Sequence, residues 1–332
     1  MTKMHLIRLK TLETLAIYWQ LIRIIVPVAI GTKFLIEAGV IETVAPQLAP
    51  VMDLYGLPPE LALAWLTGIL VGIWAAAAMI FALVPASAMS VADITVFSAL
   101  LLFAHGLPIE QKIIQKAGPR IVFTTLTRLA GGMIYAALLH QIYATTGWLS
   151  QPLDPVWMPM QEAAGWTGFF ENLIETLVSM LAILTGLAWL LEGLRASGLM
   201  TWLNLALAPI FSLAGIHGAA RQLTAVGMFL GVSYGGGLLI REASAASLEP
   251  RQVLLSCVFM GFAHGVIEDT LVVMALGADI TGVLFGRLVF SIAATAMIAW
   301  IVRSLSDQAF YTWLYARRRS PVNGDPLRAS SL

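Results

Sequence analysis

Phe103-Ala104-His105-Gly106 is repeated as Phe262-Ala263-His264-Gly265, a displacement of 264 − 105 = 159 residues. The same displacement aligns residues outward from the tetrapeptide without a gap. Gly39, Gly56, Gly68, Gly72 and Gly118 fall on Gly198, Gly215, Gly227, Gly231 and Gly277; Leu48-Ala49-Pro50 falls on Leu207-Ala208-Pro209, and Arg128-Leu129 on Arg287-Leu288. His, Arg and Gly are not residues that contact with lipid selects by default, so their coincidence marks an internal duplication. A duplicated unit in a membrane chain is the signature of a transporter built from two structural repeats.

The solvent follows from composition. Apolar residues make up 59% of the 332, charged ones 11%, and mean hydropathy is +0.84, whereas a soluble domain carries about a quarter charged residues. Apolar stretches long enough to cross about 30 Å of hydrocarbon as helix run over 15–36, 61–84, 121–143, 173–194, 223–240 and 280–302. Shorter ones at 40–54, 94–103, 199–213 and 253–262 lie at matching places in both halves, as broken or re-entrant helices do. The single Cys257 excludes a disulfide framework and a thiolate metal cluster. A formal net charge of zero gives nucleic-acid binding no support.

Basic residues set the expected orientation. Lys3, Arg8 and Lys10 precede the first helix and Arg317, Arg318 and Arg319 follow the last, while no Lys or Arg occurs between Arg128 and Arg195. By the positive-inside rule both termini are cytoplasmic and the middle linker is outside. Trp148, Trp157 and Trp166, with Pro152, Pro155 and Pro159, read as an interface-lying segment. A first half that starts inside and ends outside crosses an odd number of times, about five. The expected fold is an all-α polytopic membrane protein of two inverted-topology repeats, with short broken or re-entrant helices. Its parts are a cytoplasmic N-terminus (1–12), repeat one (13–146), an outer-side interfacial linker (147–170), repeat two (171–303) and a cytoplasmic tail (304–332).

Three groups of residues are candidates for chemistry. Each tetrapeptide is followed by acids: Glu110 in the first half, Glu268 and Asp269 in the second, with Asp269 aligned to Glu110. If the helix ran on through Gly265, His264 and Glu268 would share one face. Imidazole and carboxylate together ligate a divalent transition metal, for which His105, His264 and Glu268 are the candidates, or relay protons; the plainer reading has each His donating to a backbone carbonyl to lock a helix break. The run Ser233 to Gly237, with Gly235, Gly236 and Gly237 in succession, costs a helix about 1 kcal/mol per Gly and marks either close packing or an unwound stretch that contacts substrate. Arg128 and Arg287 read as snorkelling anchors, as charge partners of Asp269 and Glu110, or as an anion contact. Gly231 to Gly235 also fits G-x-S-x-G, an enzyme reading that lacks the strand–turn–helix context.

The strings "GVSYGGGLLIREAS" (231–244) and "GFAHGVIEDTLVVMALGA" (261–278) resemble the membrane proteins that carry the nucleoside-recognition, or Gate, domain. That group is similar to concentrative nucleoside transporters, to the membrane part of ferrous-iron transporter B and to spore maturation proteins A and B. The resemblance implies a multi-pass protein of the bacterial inner membrane with gate-like hairpins and a part in transport. The expected function is ion-coupled or facilitated movement of a small polar solute or ion through a site between the repeats. The lipid bilayer is the expected partner, a homo-oligomer is allowed, and no cofactor is expected beyond a coupling ion. The alternatives are a non-transporting subunit of a membrane assembly and an intramembrane serine hydrolase.

With Cys257 replaced, single cysteines near Gly147 should label from outside the cell, and those near Lys112 and Ser247 from inside. Outside labelling near Lys112 would end the inverted-repeat reading.

Overall fold

A computed structural model describes residues 3–160, 165–244 and 248–316; Ser247 and Arg317, Arg318 and Arg319 lie outside the described residues. It is all helix, with no strand among the described residues. The first half runs α1 (Lys3–Glu37), α2 (Val40–Met52), α3 (Leu61–Leu70), α4 (Ile73–Leu83), α5 (Val91–Phe103), α6 (Leu107–Ala117) and α7 (Ile121–Thr146). The second half repeats the order as α8 (Gly165–Ala196), α9 (Leu199–Leu213), α10 (Ala219–Ser244), α11 (Pro250–Phe262), α12 (Glu268–Ala275) and α13 (Arg287–Ser304). Val91 and Phe103, the ends of α5, fall at displacement 159 on Pro250 and Phe262, the ends of α11. Among the described residues four helices are long and apolar enough to span a bilayer, or up to five if α5 and α6, bent by 40° at their break, count as one. The chain is an all-α polytopic membrane protein.

Burial is arranged as lipid solvation requires. Every residue from Ile94 to Phe103 of α5 and from Val253 to Phe262 of α11 is buried, as expected of helices that are apolar all round and enclosed by others. Outer helices show large apolar side chains instead, including Phe34 on α1, Val122 on α7, Val178 on α8 and Trp300 on α13. Exposed side chains of that kind would be a liability in water. In a bilayer they face their solvent.

Loop contacts show that the two halves run in opposite senses. The start of α5 is bonded to the linker, Val91 N to Gln151 O at 3.1 Å and Ala92 N to Leu149 O at 2.9 Å. The start of α11 lies at the other end, where Arg251 donates to Leu305 O at 2.9 Å and to Asp307 Oδ1 at 2.9 Å. The start of α7 shares that other end, since Arg120 N bonds Leu314 O at 2.8 Å and Tyr315 Oη donates to Ala117 O at 2.8 Å. The segment leading into α13 begins instead beside the start of α5, through Asp279 N to Thr95 Oγ1 at 2.9 Å. Hence α5 opposes α11 and α7 opposes α13. Arg120, Arg251 and the segment after α13 gather at one end.

Two expected spans are interrupted. The 61–84 stretch is two helices divided at Val71 and Gly72, and the 223–240 stretch is α10 with non-helical backbone at Gly231. The breaks are equivalent, since 231 − 72 = 159, and both glycines take positive φ with extended ψ (141°, 174° for Gly72; 81°, 170° for Gly231). Only glycine enters that region without strain. Unwinding at the three-glycine run is therefore corrected: Gly235, Gly236 and Gly237 lie in helical backbone, and their surroundings, like the side chain of Ser233, are outside what is described. The linker packs partly onto the helices. Trp148 and Trp166 are exposed, but Trp157 is buried, packs edge-on against Trp74 at 5.8 Å and donates from Nε1 to Ser179 Oγ at 3.0 Å. Proline-rich sequence here makes a folded cover over α4 and α8.

Gly231→Ala should lower stability by about 1–3 kcal/mol, the cost of forcing a Cβ into this backbone region. Gly186→Ala, at an exposed helical position of α8 with open space around it, should be neutral or gain up to about 1 kcal/mol. Unfolding midpoints in detergent would check the contrast, and equal effects would mean the break at Gly231 is not required.

Candidate functional site

The site is assembled by stopping two helices inside the protein. α5 ends at Phe103 and α11 at Phe262, and the chain turns through Gly106 and Gly265 with φ of 60° and 58°. Each turn is pinned to a neighbour in its own half: Gly106 N bonds Gly68 O at 2.9 Å, and Val266 N bonds Met228 O at 3.0 Å. The twin aromatic residues meet, Phe103 and Phe262 with ring centroids 5.5 Å apart. The imidazoles of His105 and His264 meet two residues further on, with centroids 4.9 Å apart and Nε2 atoms 3.2 Å apart. A pseudo-two-fold axis therefore passes between both pairs.

Each imidazole is oriented by its own helix. His105 Nδ1 lies 3.0 Å from Leu101 O and His264 Nδ1 lies 2.8 Å from Met260 O, and 260 − 101 = 159. A backbone carbonyl can only accept, so each Nδ1 carries a hydrogen and each neutral ring presents Nε2 as an acceptor. The helix-locking role thus holds, and it aims the other nitrogen into the cluster.

The carboxylates close around these nitrogens. Glu110 Oε1 is 3.3 Å from His264 Nε2 and 3.8 Å from His105 Nε2, while its Oε2 accepts from Arg128 Nη1 at 2.5 Å. Asp269 Oδ2 is 3.6 Å from His105 Nε2 and has no hydrogen-bond partner. Asp269 fits because residue 265 is Gly: a Cβ there would strike its carboxylate. Glu268 lines the same cavity but lies outside the close group of His105, His264 and Asp269. Helix α12 begins only at Glu268, after the Gly265 turn, so the expected shared helical face of His264 and Glu268 does not form.

The arginines are buried at 2% (Arg128) and 1% (Arg287), which rules out snorkelling. Each ties its own half together: Arg128 Nε to Phe103 O and Arg287 Nε to Phe262 O, both at 2.8 Å. Of the expected pairing with the two acids, one ion pair forms. Arg128 pairs with Glu110 of its own repeat, whereas Arg287 makes no ion pair with either acid, donates to His264 O at 3.0 Å and Leu102 O at 3.2 Å, and keeps Nη1 without a hydrogen-bond partner. Glutamate spans the gap to its arginine; aspartate, one methylene shorter, turns toward His105.

The cluster floors a cavity of about 430 Å³ whose walls include Gly72, Trp74 and Gly231 at the two helix breaks and Thr14 and Leu187 from α1 and α8. Sequence reasoning passed over the two break glycines, although their match at displacement 159 was the available signal. No family model and no solved structure matches the chain. A relative, the uncharacterized membrane protein YvoD of Bacillus subtilis (strain 168), is 25% identical over 287 residues, covering 85% of this chain and 90% of that protein.

Arg128→Met should cost about 3–5 kcal/mol, because it strands a buried carboxylate and the Phe103 carbonyl. Lys33→Met, which breaks an i,i+4 pair with Glu37 at 3.3 Å on α1, should cost about 0.3–0.5 kcal/mol. Unfolding in mixed detergent micelles would compare them.

Proposed function

We propose that the chain is a membrane transporter that moves a small polar solute or ion through the cavity between its two repeats. The observation that carries this reading is the convergence of His105, His264, Glu110 and Asp269 on one polar floor, beneath a cavity bounded by two glycine-broken helices. Ionisable groups inside a membrane are costly unless they are paired or used. Transporters place such groups at the interface of inverted repeats beside interrupted helices. The resemblance of the two halves to Gate-domain proteins points the same way. The basic flanks support cytoplasmic termini, and the resemblance to Gate-domain proteins supports the bacterial inner membrane. The G-x-S-x-G match starts at the break at Gly231 and lies between two helical stretches of α10 with no strand before it, which supports transport over the hydrolase reading.

Purified protein in liposomes should move at least one species from a panel of nucleosides, divalent cations and protons faster than empty vesicles. The joint replacement His105→Ala and His264→Ala should reduce that flux to the empty-vesicle rate. Transport that survives the double replacement would displace the site, and a flux-inactive but folded wild type would favour the non-transporting subunit.

A further inference from the structure

We infer that the cluster is a binding site for one exchangeable divalent transition-metal cation, held by His105 Nε2, His264 Nε2, Glu110 Oε1 and Asp269 Oδ2. Both Nδ1 hydrogens are committed to the carbonyls of Leu101 and Met260. The four remaining atoms are then all acceptors: ligand atoms of His105, His264 and Asp269 lie within 4.8 Å of one another, with Nε2–Nε2 at 3.2 Å and His105 Nε2–Asp269 Oδ2 at 3.6 Å, and Glu110 Oε1 stands beside them at 3.3 and 3.8 Å from the two nitrogens. Acceptors so arranged repel unless something positive sits among them. A tetrahedral ion holding nitrogen at roughly 2.0–2.1 Å spaces its ligand atoms about 3.3–3.4 Å apart, close to these values. One shared proton would satisfy two of the four atoms and leave Asp269 Oδ2 still without a partner.

The donor set selects the class of ion. Two imidazoles with two carboxylates suit zinc, cobalt, iron(II) or manganese rather than calcium or magnesium, which take mainly oxygen ligands in larger number. The outer support is that of a metal site: the carbonyls of Leu101 and Met260 fix the rings, and Arg128 holds the far oxygen of Glu110. Arg128 and Arg287 also face the cluster from α7 and α13 and offset the charges of Glu110 and Asp269. Binding is thereby weakened to a level from which the ion can leave, as conduction requires.

This inference rests on the transport reading for the site's place in the mechanism, but it is tested by binding alone. Cobalt(II) added to the full chain in detergent should give the visible absorption of a tetrahedral nitrogen–oxygen site with one ion per chain. Zinc should abolish the bands, and a large excess of magnesium or calcium should not. His105→Ala and His264→Ala should weaken binding by at least the roughly 10- to 100-fold that loss of a supporting group costs a metal site. Should either aggregate, Asp269→Asn, which keeps the shape of the side chain, is read in its place. Cys257→Ser should leave the bands unchanged. Absence of cobalt bands and of dialysable bound metal overturns the inference, as do bands that persist in the His and Asp269 variants. Bands without flux in liposomes leave the metal site standing and sink the transport reading; flux of another solute without bands does the reverse.

Discussion

A helix that ends in the middle of a bilayer leaves carbonyl groups with no water to bond, each at a cost of several kcal/mol. The structure answers this twice with the same device. A guanidinium from the repeat's last long helix reaches the terminal carbonyls: Arg128 bonds Phe103 O, and Arg287 bonds Phe262 O and His264 O. The imidazole of the same turn donates to the carbonyl four residues earlier. Without these bonds neither α5 nor α11 could stop where it does. The histidines would not meet, and the cavity would have no floor.

Symmetry in the backbone is matched by asymmetry in the charges. Glu110 and Asp269 occupy equivalent positions and both approach the histidine of the opposite half, yet Glu110 closes an ion pair with Arg128 while Asp269 leaves Nη1 of Arg287 without a hydrogen bond. A difference of one methylene makes the two halves unequal partners.

Much of this was legible in the sequence because intramembrane polar residues are scarce and repeated ones scarcer. The constant displacement brought His105 and His264 together on paper, and composition gave the bilayer. The broken spans were harder. Three adjacent glycines look like the weakest point of a helix, but in lipid the backbone has nowhere else to bond, so the Gly235 to Gly237 run stays helical. The break occurs at Gly231, where it is matched by Gly72. Which arginine takes which acid was illegible for another reason: an alignment records equivalence, whereas pairing depends on side-chain reach.

The contact between Phe103 and Phe262 carries a consequence of its own. Both rings are fully buried, 5.5 Å apart, and enclosed further by Tyr135 and Phe290. They precede the paired imidazoles by two residues in each half, so the polar floor of the cavity is backed by a cluster of buried aromatic rings. On the transport reading proposed above, the twin phenyl rings must part for a solute to pass, and because they project from the two halves, a rocking of one repeat against the other would unlatch them in a single movement.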